Sequence, residues 1–336
     1  MKSVVFFDAD EKLRDFVARN PVAGHAPVFV AQDINAVPAA AFKPYANAEI
    51  ISLFTHSDKV ANQKLDLLPR LKMINTRSTG FNHIDLAYCR KRGIAVTNVP
   101  KYGEITVAEF AFALLLSVMR HVVQARNDMA QNQIRLEKYM GTDLAGKTIG
   151  IIGTGSIGRH MIQIAKGFGM SVAAYDPYPD PALKDMYVPS LKKLYRQSDI
   201  ISLHIPSTPQ NRHLIGKQAF AEMKPGVVII NTARGDLIDT QALYQALRAG
   251  RVGGAGLDVL ENEDFLLNDD IDPNHARCNH ECLLDSAMNL KLMQFKNVIV
   301  TPHIAFNSVD AIGRIMAISV EDINRFIARK PVNRVA

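Results

Sequence analysis

Residues 147–158 read KTIGIIGTGSIG: a β-branched strand that stops at a glycine turn and passes straight into a helical pattern. A G-x-G-x-x-G spacing alone is a weak signal, but here its context can be checked. The first glycine, Gly153, suits a tight turn. The second, Gly155, lets backbone approach a pyrophosphate, and the third, Gly158, lets helix and strand pack closely, with Ser156 and Ile157 opening the helix. That helix start offers N–H donors and a positive dipole end to phosphate. A second strand, SVAAYD, then ends at Asp176, 18 positions beyond Gly158. A carboxylate there accepts hydrogen bonds from ribose hydroxyls and repels a 2′-phosphate. Strand, glycine loop, helix, strand and acid together predict a dinucleotide site that prefers NAD(H) to NADP(H). Glycines placed for packing alone would leave the acid unexplained.

Outward from this stretch the same alternation fills the chain. Short apolar runs at 2–8, 28–32, 49–55, 72–76 and 94–98 precede it, and runs at 148–153, 171–176, 199–204, 227–232, 253–257 and 297–301 form a second series. Helical patterns lie between them at 11–19, 84–92, 157–168, 191–197 and 240–249. Apolar strands bounded by turn residues and alternating with helices predict an α/β fold with two doubly wound parallel-sheet domains. The long helical pattern 105–124 contains no strand and is expected to bridge the two. A last helical stretch, 309–329, follows the final strand and has no sheet of its own, so it is expected to return to the first domain. The expected division is therefore 1–100 with 302–336, discontinuous, and 101–301. LKMINTRSTG (71–80) and GVVIINTARG (226–235) look alike, as strand-to-loop segments of two similar sheets would without any deeper relation.

Length and composition fit this division. The chain has 336 residues, 48% hydrophobic and 21% charged, enough apolar material for two cores. Its three cysteines (Cys89, Cys278, Cys282) cannot form a disulfide framework and suit a reducing cytosol. The N-terminal run reaches an acid at Asp8 and lacks the pattern of a signal peptide. The longest apolar tract, 105–119, is too short for a membrane span and carries Glu109. A cytoplasmic protein is expected. The formal charge of +6 is scattered, without the aromatic-interleaved stripe that nucleic acid would call for, so neither nucleic acid nor membrane is an expected partner. The dense run Arg90-Lys91-Arg92 before Gly93 reads as a helix end with matched cations. Small anionic ligands are the better use of the surplus.

Four polar residues stand at strand ends, where a parallel sheet presents its ligand-binding loops: Arg234 after VVIINTA, Asp258 after VGGAGL, Glu263 soon after, and His303 after NVIVTP. Any one of them could be a solvated or capping loop residue. An arginine, two carboxylates and a histidine together are harder to dismiss.

With these residues in place, the sequence resembles the NAD-dependent D-isomer-specific 2-hydroxyacid dehydrogenases, and most closely their D-lactate dehydrogenase branch. The carrying segments are RSTGFNHIDL (77–86), GTGSIG (153–158), HIPSTPQNRHLI (204–215), INTARGDLID (230–239), GLDVLENE (256–263) and TPHIAF (301–306), in family order. The resemblance implies a Rossmann cofactor domain, a flavodoxin-like substrate domain and an interdomain cleft that closes over a small 2-oxo or 2-hydroxy acid. It implies hydride transfer from NADH, with His303 as proton donor and Glu263 fixing its ring. Arg234 would grip the substrate carboxylate, a bidentate task that suits a guanidinium. Asp258 would lie near the nicotinamide, and backbone around Ser78, Thr79 and Gly80 would cradle the carboxylate. Thr106, Ile205, Pro206, Asn211, Thr232, Ala233 and Arg234 would touch NAD. His204 falls in that cofactor segment and is expected to be structural or to act through a neighbour. The other histidines, His25, His56, His83, His121, His160 and His213, have no comparable context. The family also implies a homodimer through the cofactor domain.

Phe54 and Tyr102 stand where D-lactate dehydrogenase-like members place bulky groups near the substrate side chain. Two aromatic walls fit pyruvate, reduced to D-lactate, better than a long chain; core packing is the other reading of Phe54. Gly103-Glu104 and Asn307 depart from the family pattern near the substrate mouth, so hydroxypyruvate, glyoxylate or a bulkier 2-oxo acid stay open as substrates. An NADH-sensing, corepressor-like interaction protein is the alternative from another class. Between Glu263 and the strand at 297, the set His275, Cys278, His280 and Cys282 offers two imidazoles and two thiols. Its spacing is tighter than paired zinc ligands use, and no metal ligand is assigned.

Overall fold

The computed structural model describes residues 2–54, 59–263 and 280–336, with side chains in the last stretch from residue 284 onward. Thr55, His56 and the side chains of the His275–Cys282 set lie outside the described residues. The chain divides into two compact units, residues 1–102 with 308–336, and residues 103–307.

The first unit is built on β1 (Ser3–Phe6), β2 (Ala26–Phe29), β3 (Ala48–Leu53), β4 (Met73–Thr76) and β5 (Ala95–Thr97). All neighbours are parallel, in the order β2-β1-β3-β4-β5, the flavodoxin-like arrangement. Successive side chains switch faces, as a pleat requires. Val4, Phe6, Ile50 and Met73 pack under α1 (Glu11–Arg19) and the C-terminal helix (Val309–Ile327), through Leu13, Val17, Val320 and Ile323. Val5, Phe7, Ile51, Leu53 and Ile74 face the other way, onto Phe42, Leu65 of α2 (Asn62–Asp66) and Cys89 of α3 (Leu86–Lys91). The C-terminal helix thus finds its partner on a sheet already built, its start capped by Ser308, which accepts from Ala311 N. The chain after it bridges antiparallel to β5 at Thr97 and Arg334. β2 lies two residues earlier than the apolar run suggested, yet the pairing continues beyond it: Val30 N donates to Phe6 O and Asp8 N to Gln32 O.

The second unit holds β6 (Thr148–Ile152), β7 (Ser171–Tyr175), β8 (Ile200–Leu203), β9 (Val227–Asn231), β10 (Val252–Leu257) and β11 (Val298–Val300), again all parallel, in the order β11-β10-β9-β8-β6-β7. α4 (Glu104–Met119) and α6 (Ser156–Gly167) cover Ile149, Ile151, Ile200, Val228 and Ile230. The opposite face, with Ile201, Leu203, Ile229 and Leu257, is covered by α7 (Leu191–Gln197), α8 (Lys217–Glu222), α9 (Thr240–Arg248) and Leu292 of α10 (His280–Leu292). Both sheets are therefore doubly wound.

Three expectations change. The pattern 105–124 is not one bridging helix. α4 is a layer of the second unit, with Ala108, Ala111 and Leu115 fully buried. It ends because the Met119 carbonyl accepts from Thr142 N at 3.0 Å and His121 turns left-handed (φ 52°), so α5 (Val122–Ala130) leaves at 61°. Residues 302–307 belong to the second unit, not the first, because Ile304 N and Ala305 N donate to the Asp258 carboxylate. The run Arg90-Lys91-Arg92 does end a helix, with Arg90 and Lys91 in the last turn of α3, but Arg92 at its C-cap is not solvated: its guanidinium donates to the carbonyls of Leu65 and Leu68. Among the described residues no single helix is long and apolar enough to cross a membrane.

Candidate active site

In the second sheet the chain reverses direction between β6 and β8, and such a switch point is where open α/β sheets bind ligands. Gly153 ends β6 there with φ +94°, and a Cβ on it would lie 2.5 Å from His204 O. A Cβ on Gly158 would fall 2.0 Å from Gly153 O, so the helix packs on the strand only without one. A Cβ on Gly155 would meet nothing within 4 Å, which leaves that side open for a phosphate to approach. α6 starts at Ser156 without a side-chain cap, so its first N–H groups can serve an anion. Asp176 accepts from Thr154 N (2.7 Å), Thr154 Oγ1 (3.0 Å) and Tyr178 N (2.8 Å), and so holds the shape of the glycine loop. Thr232, just past the end of β9, buries an Oγ1 that has no hydrogen-bond partner among the described residues. An open glycine cradle, an acid beside it and an orphaned hydroxyl fit a dinucleotide.

The candidate acid–base group stands just past the end of β11. His303 Nδ1 lies 2.6 Å from Glu263 Oε1, and Glu263 Oε2 accepts from Leu260 N. His303 sits in the left-handed region (φ 53°), strained for a non-glycine residue. Its loop is held by Asp258, only 1% exposed, which accepts from Thr301 Oγ1 (2.5 Å), Ile304 N (3.0 Å) and Ala305 N (2.7 Å). Burial pushes the Asp258 carboxyl up, against those hydrogen bonds and the nearby His303. Burial likewise pulls the His303 imidazole down. The hydrogen bond and charge of Glu263, with Asp258, more than compensate, and Arg234 opposes them, so His303 holds its proton above the usual imidazole range. Nδ1 is committed to Glu263, which leaves Nε2 to face a ligand.

Arg234 is exposed, and among the described residues the one hydrogen bond its guanidinium makes is to the adjacent Ala233 O. Its turn is closed by Asn231, which accepts from Ala233 N (3.0 Å) and donates to Arg234 O (2.8 Å). Asn211 donates to Pro206 O and accepts from Thr208 N, so its side chain shapes the loop that carries Ile205 and Pro206. His204 shares a 2.8 Å hydrogen bond with Ser202, and burial pushes its imidazole down to about 3, so it is uncharged at neutral pH. Thr106 lies in the first turn of α4.

The remaining expected residues lie in the first unit. Phe54 and the Ser78–Gly80 loop follow the paired ends of neighbouring strands β3 and β4. Ser78 O accepts from Val99 N, Thr79 Oγ1 donates to Val99 O, and Thr79 O accepts from Asn98 Nδ2. Among the described residues the N–H groups of Ser78, Thr79 and Gly80 meet no acceptor, as an anion cradle requires. Tyr102 O accepts from Arg314 Nε at 2.6 Å.

One residue without a role in the sequence reading emerges here, together with its two partners. Glu261 is 5% exposed, and its Oε1 lies 2.9 Å from Arg212 Nη2 and 2.8 Å from His213 Nε2. Glu261 stands two residues before Glu263 in GLDVLENE, but nothing in that string tells which of the two acids is buried.

Comparison with known proteins agrees with this geometry. Residues 112–305 match the family model described as "D-isomer specific 2-hydroxyacid dehydrogenase, NAD binding domain". The chain is 38% identical over 256 residues to a D-lactate dehydrogenase of Escherichia coli (76% of this chain, 75% of that protein). It is 37% identical over 258 residues to an aromatic 2-oxoacid reductase of Clostridium sporogenes (76% of each). The crystal structure of D-lactate dehydrogenase from Aquifex aeolicus, complexed with NAD and lactic acid, superposes with a TM-score of 0.82 at 35% identity, covering 98% of this chain and 96% of that one. The chain belongs to the D-isomer-specific 2-hydroxyacid dehydrogenases, NAD-dependent oxidoreductases.

Proposed function

We propose that this enzyme is a D-lactate dehydrogenase that reduces pyruvate with NADH. The observation that carries the reading is the half-buried His303–Glu263 pair at 2.6 Å, with exposed Arg234 close enough to affect the histidine's charge. When bound, NADH supplies the hydride to the substrate C2. Protonated His303, held in one tautomer by Glu263, donates through Nε2 to the oxygen that becomes the hydroxyl, and takes that proton back in the oxidising direction. Arg234 binds the carboxylate and polarises the carbonyl. The free N–H groups of Ser78, Thr79 and Gly80 receive the carboxylate. Asp258 keeps the His303 loop in place, while Asp176 and the glycine loop hold the cofactor, with Ile205, Pro206, Asn211, Thr232 and Ala233 lining it.

Pyruvate is favoured by the fixed position of Phe54. The buried Arg77 guanidinium lies 5.6 Å from its ring centroid, and Asp8 Oδ2 accepts from its backbone N–H. A wall so anchored, with Tyr102, leaves a methyl better served than a long side chain. The apolar groove between α4 and α6, about 440 Å³ and lined by Ile105, Phe112, Leu116, Ile164 and Phe168, supports a homodimer through the second unit. Cys89, a buried free thiol, suits a cytoplasmic enzyme.

The test is NADH oxidation over pyruvate, hydroxypyruvate, glyoxylate, 2-oxobutyrate and phenylpyruvate, repeated with NADPH. A maximal kcat/KM for pyruvate with NADH is expected; a maximum at phenylpyruvate would move the enzyme to the aromatic reductases. His303→Ala should abolish turnover while NADH binding persists, and equal loss of both would reject His303 as proton donor. With His303 as the acid, kcat/KM for reduction falls as pH rises through its raised pKa.

A further inference from the structure

We propose that Glu261 is a positioning residue whose buried carboxylate clamps the Leu260–Glu263 segment so that Glu263 meets the His303 ring. The inference rests on His303 being the proton donor of the proposed reaction. Glu263 leaves the end of β10 on a short strap with no regular structure, and such a strap does not by itself hold a carboxylate 2.6 Å from a ring nitrogen.

Five hydrogen bonds and one close backbone approach fix it. Glu261 turns inward, and its Oε1 takes Arg212 Nη2 and His213 Nε2 while Oε2 accepts weakly from Thr240 Oγ1 at 3.4 Å. Its backbone carbonyl accepts from Asn289 Nδ2 (2.8 Å), and Asn262 Nδ2 donates to Asp285 Oδ2 (2.9 Å), both partners on α10. From the other side Gly235 presses on the strap: a Cβ there would lie 2.0 Å from Leu260 C. Gly235 follows Arg234, so the residue next to the substrate arginine packs directly against the Glu263 strap.

The backbone records the same constraint. His213 (φ 54°), Asn262 (φ 54°) and His303 (φ 53°) are all left-handed non-glycine residues, and they succeed one another along one path of contacts: His213 to Glu261, Asn262 next in the chain, then Glu263 to His303. Strain of this kind persists only where the surroundings over-determine the conformation. A buried carboxylate left by its cationic partners would not stay buried, and the strap would relax with it.

Among the described residues the charged groups facing His303 are Glu263, Asp258 and Arg234; Glu261 is faced by the Arg212 guanidinium and the His213 ring, with Asp236 behind them, its backbone O accepting from His213 N. Loosening the strap weakens the Glu263 contact alone and leaves Asp258, which stands at the very end of β10 with its carboxylate held by Thr301, Ile304 and Ala305. The His303 ring should then titrate lower.

The experiment is a pH titration of the imidazole nitrogens in the full-length, 15N-histidine-labelled enzyme, with His303 assigned by its loss in His303→Ala. In Glu261→Gln the His303 midpoint is expected to fall by about one pH unit as its carboxylate partner loosens. The affinity for NADH, read by fluorescence, should stay within about twofold and kcat should drop by about tenfold. His213→Asn keeps a residue that tolerates the left-handed backbone, removes one of the clamp's partners and should lower the midpoint by less. It serves as the deciding variant if Glu261→Gln does not fold. A His303 midpoint unchanged from wild type in the folded variant would overturn the proposal. The titration does not pass through turnover, so an enzyme that reduces no 2-oxo acid would sink the functional reading and leave this test intact.

Discussion

β4 and β9 leave their sheets with nearly the same letters. The first runs Ile74-Asn75-Thr76-Arg77 and the second Ile230-Asn231-Thr232-Ala233-Arg234, one residue longer before the arginine. In the first unit both polar residues turn inward. Asn75 accepts from Ser52 Oγ and donates to Thr97 Oγ1, each at 3.1 Å, and ties three strands together. Arg77 is 3% exposed and donates to Phe7 O (2.7 Å), Asp8 O (3.2 Å) and Ser52 Oγ (3.1 Å). Burial pulls its guanidinium down to about 10 against the charges of Asp8 and Asp10, and it stays protonated at neutral pH. In the second unit Asn231 spends its hydrogen bonds on its own turn, and Arg234 is left exposed beside His303. The same residue type is scaffolding where its donors are used up by carbonyls, and is available for a ligand where they are not.

This contrast sets what each substitution should do. Arg77→Met removes a buried cation and strands the carbonyls it served, and should lower unfolding stability by about 3–5 kcal/mol in urea melts. A loss below 1 kcal/mol would mean the arginine is not a scaffold. Arg234→Ala should leave stability unchanged and reduce kcat/KM for the 2-oxo acid by about 10²–10³, the range for removing one charge-stabilising donor. A parallel loss of stability would erase the distinction.

Asn75→Ala and Asn231→Ala carry the comparison one step inward. The first should cost roughly 1–3 kcal/mol of stability with turnover intact, because buried partners lose their hydrogen bonds. The second should cost roughly tenfold in kcat/KM through a loosened Arg234 turn, an energy of about 1.4 kcal/mol. Exchange of those outcomes would show that the two asparagines had been assigned the wrong way round.

The smallest effect separates the units by pH. Asp322, on the buried side of the C-terminal helix, is pushed up to about 7 by burial, with Glu321 adding to the shift and Asn333 and Arg325 opposing it. The folded state therefore keeps a proton that the unfolded chain releases near the ordinary carboxylate value. Stability contributed by this group declines as pH rises from about 4 to 7 and is flat above. Asp322→Asn should flatten the melting temperature between about pH 4 and 7 without moving the pH–rate profile, which in the proposed mechanism follows His303 in the second unit. An unaltered slope would remove Asp322 from the stability profile.

How much of this the sequence displays follows from how local each feature is. All eleven strands and the glycine loop are legible because alternating apolar residues and turn glycines act over a few neighbours. The end of α4 is not, because it depends on Thr142 reaching back to the Met119 carbonyl. Arg77 and Arg234 sit in near-identical strings, and their burial depends on β1 and β3 in one case and on a self-closed turn in the other. Glu261 and His213 are silent for the same reason: their partners are 48 residues apart and only the folded sheet joins them. His303 and Glu263, 40 residues apart, are legible as strand-end candidates, but their pairing is legible only through the family resemblance.

The most direct measurement is the pyruvate KM and the melting temperature of Arg234→Lys, made side by side. A lysine keeps the charge but loses the planar fork. If Arg234 is a ligand-binding arginine, KM should rise by at least about tenfold while the melting temperature stays at the wild-type value. A wild-type KM with a lowered melting temperature would show that Arg234, like Arg77, serves the fold.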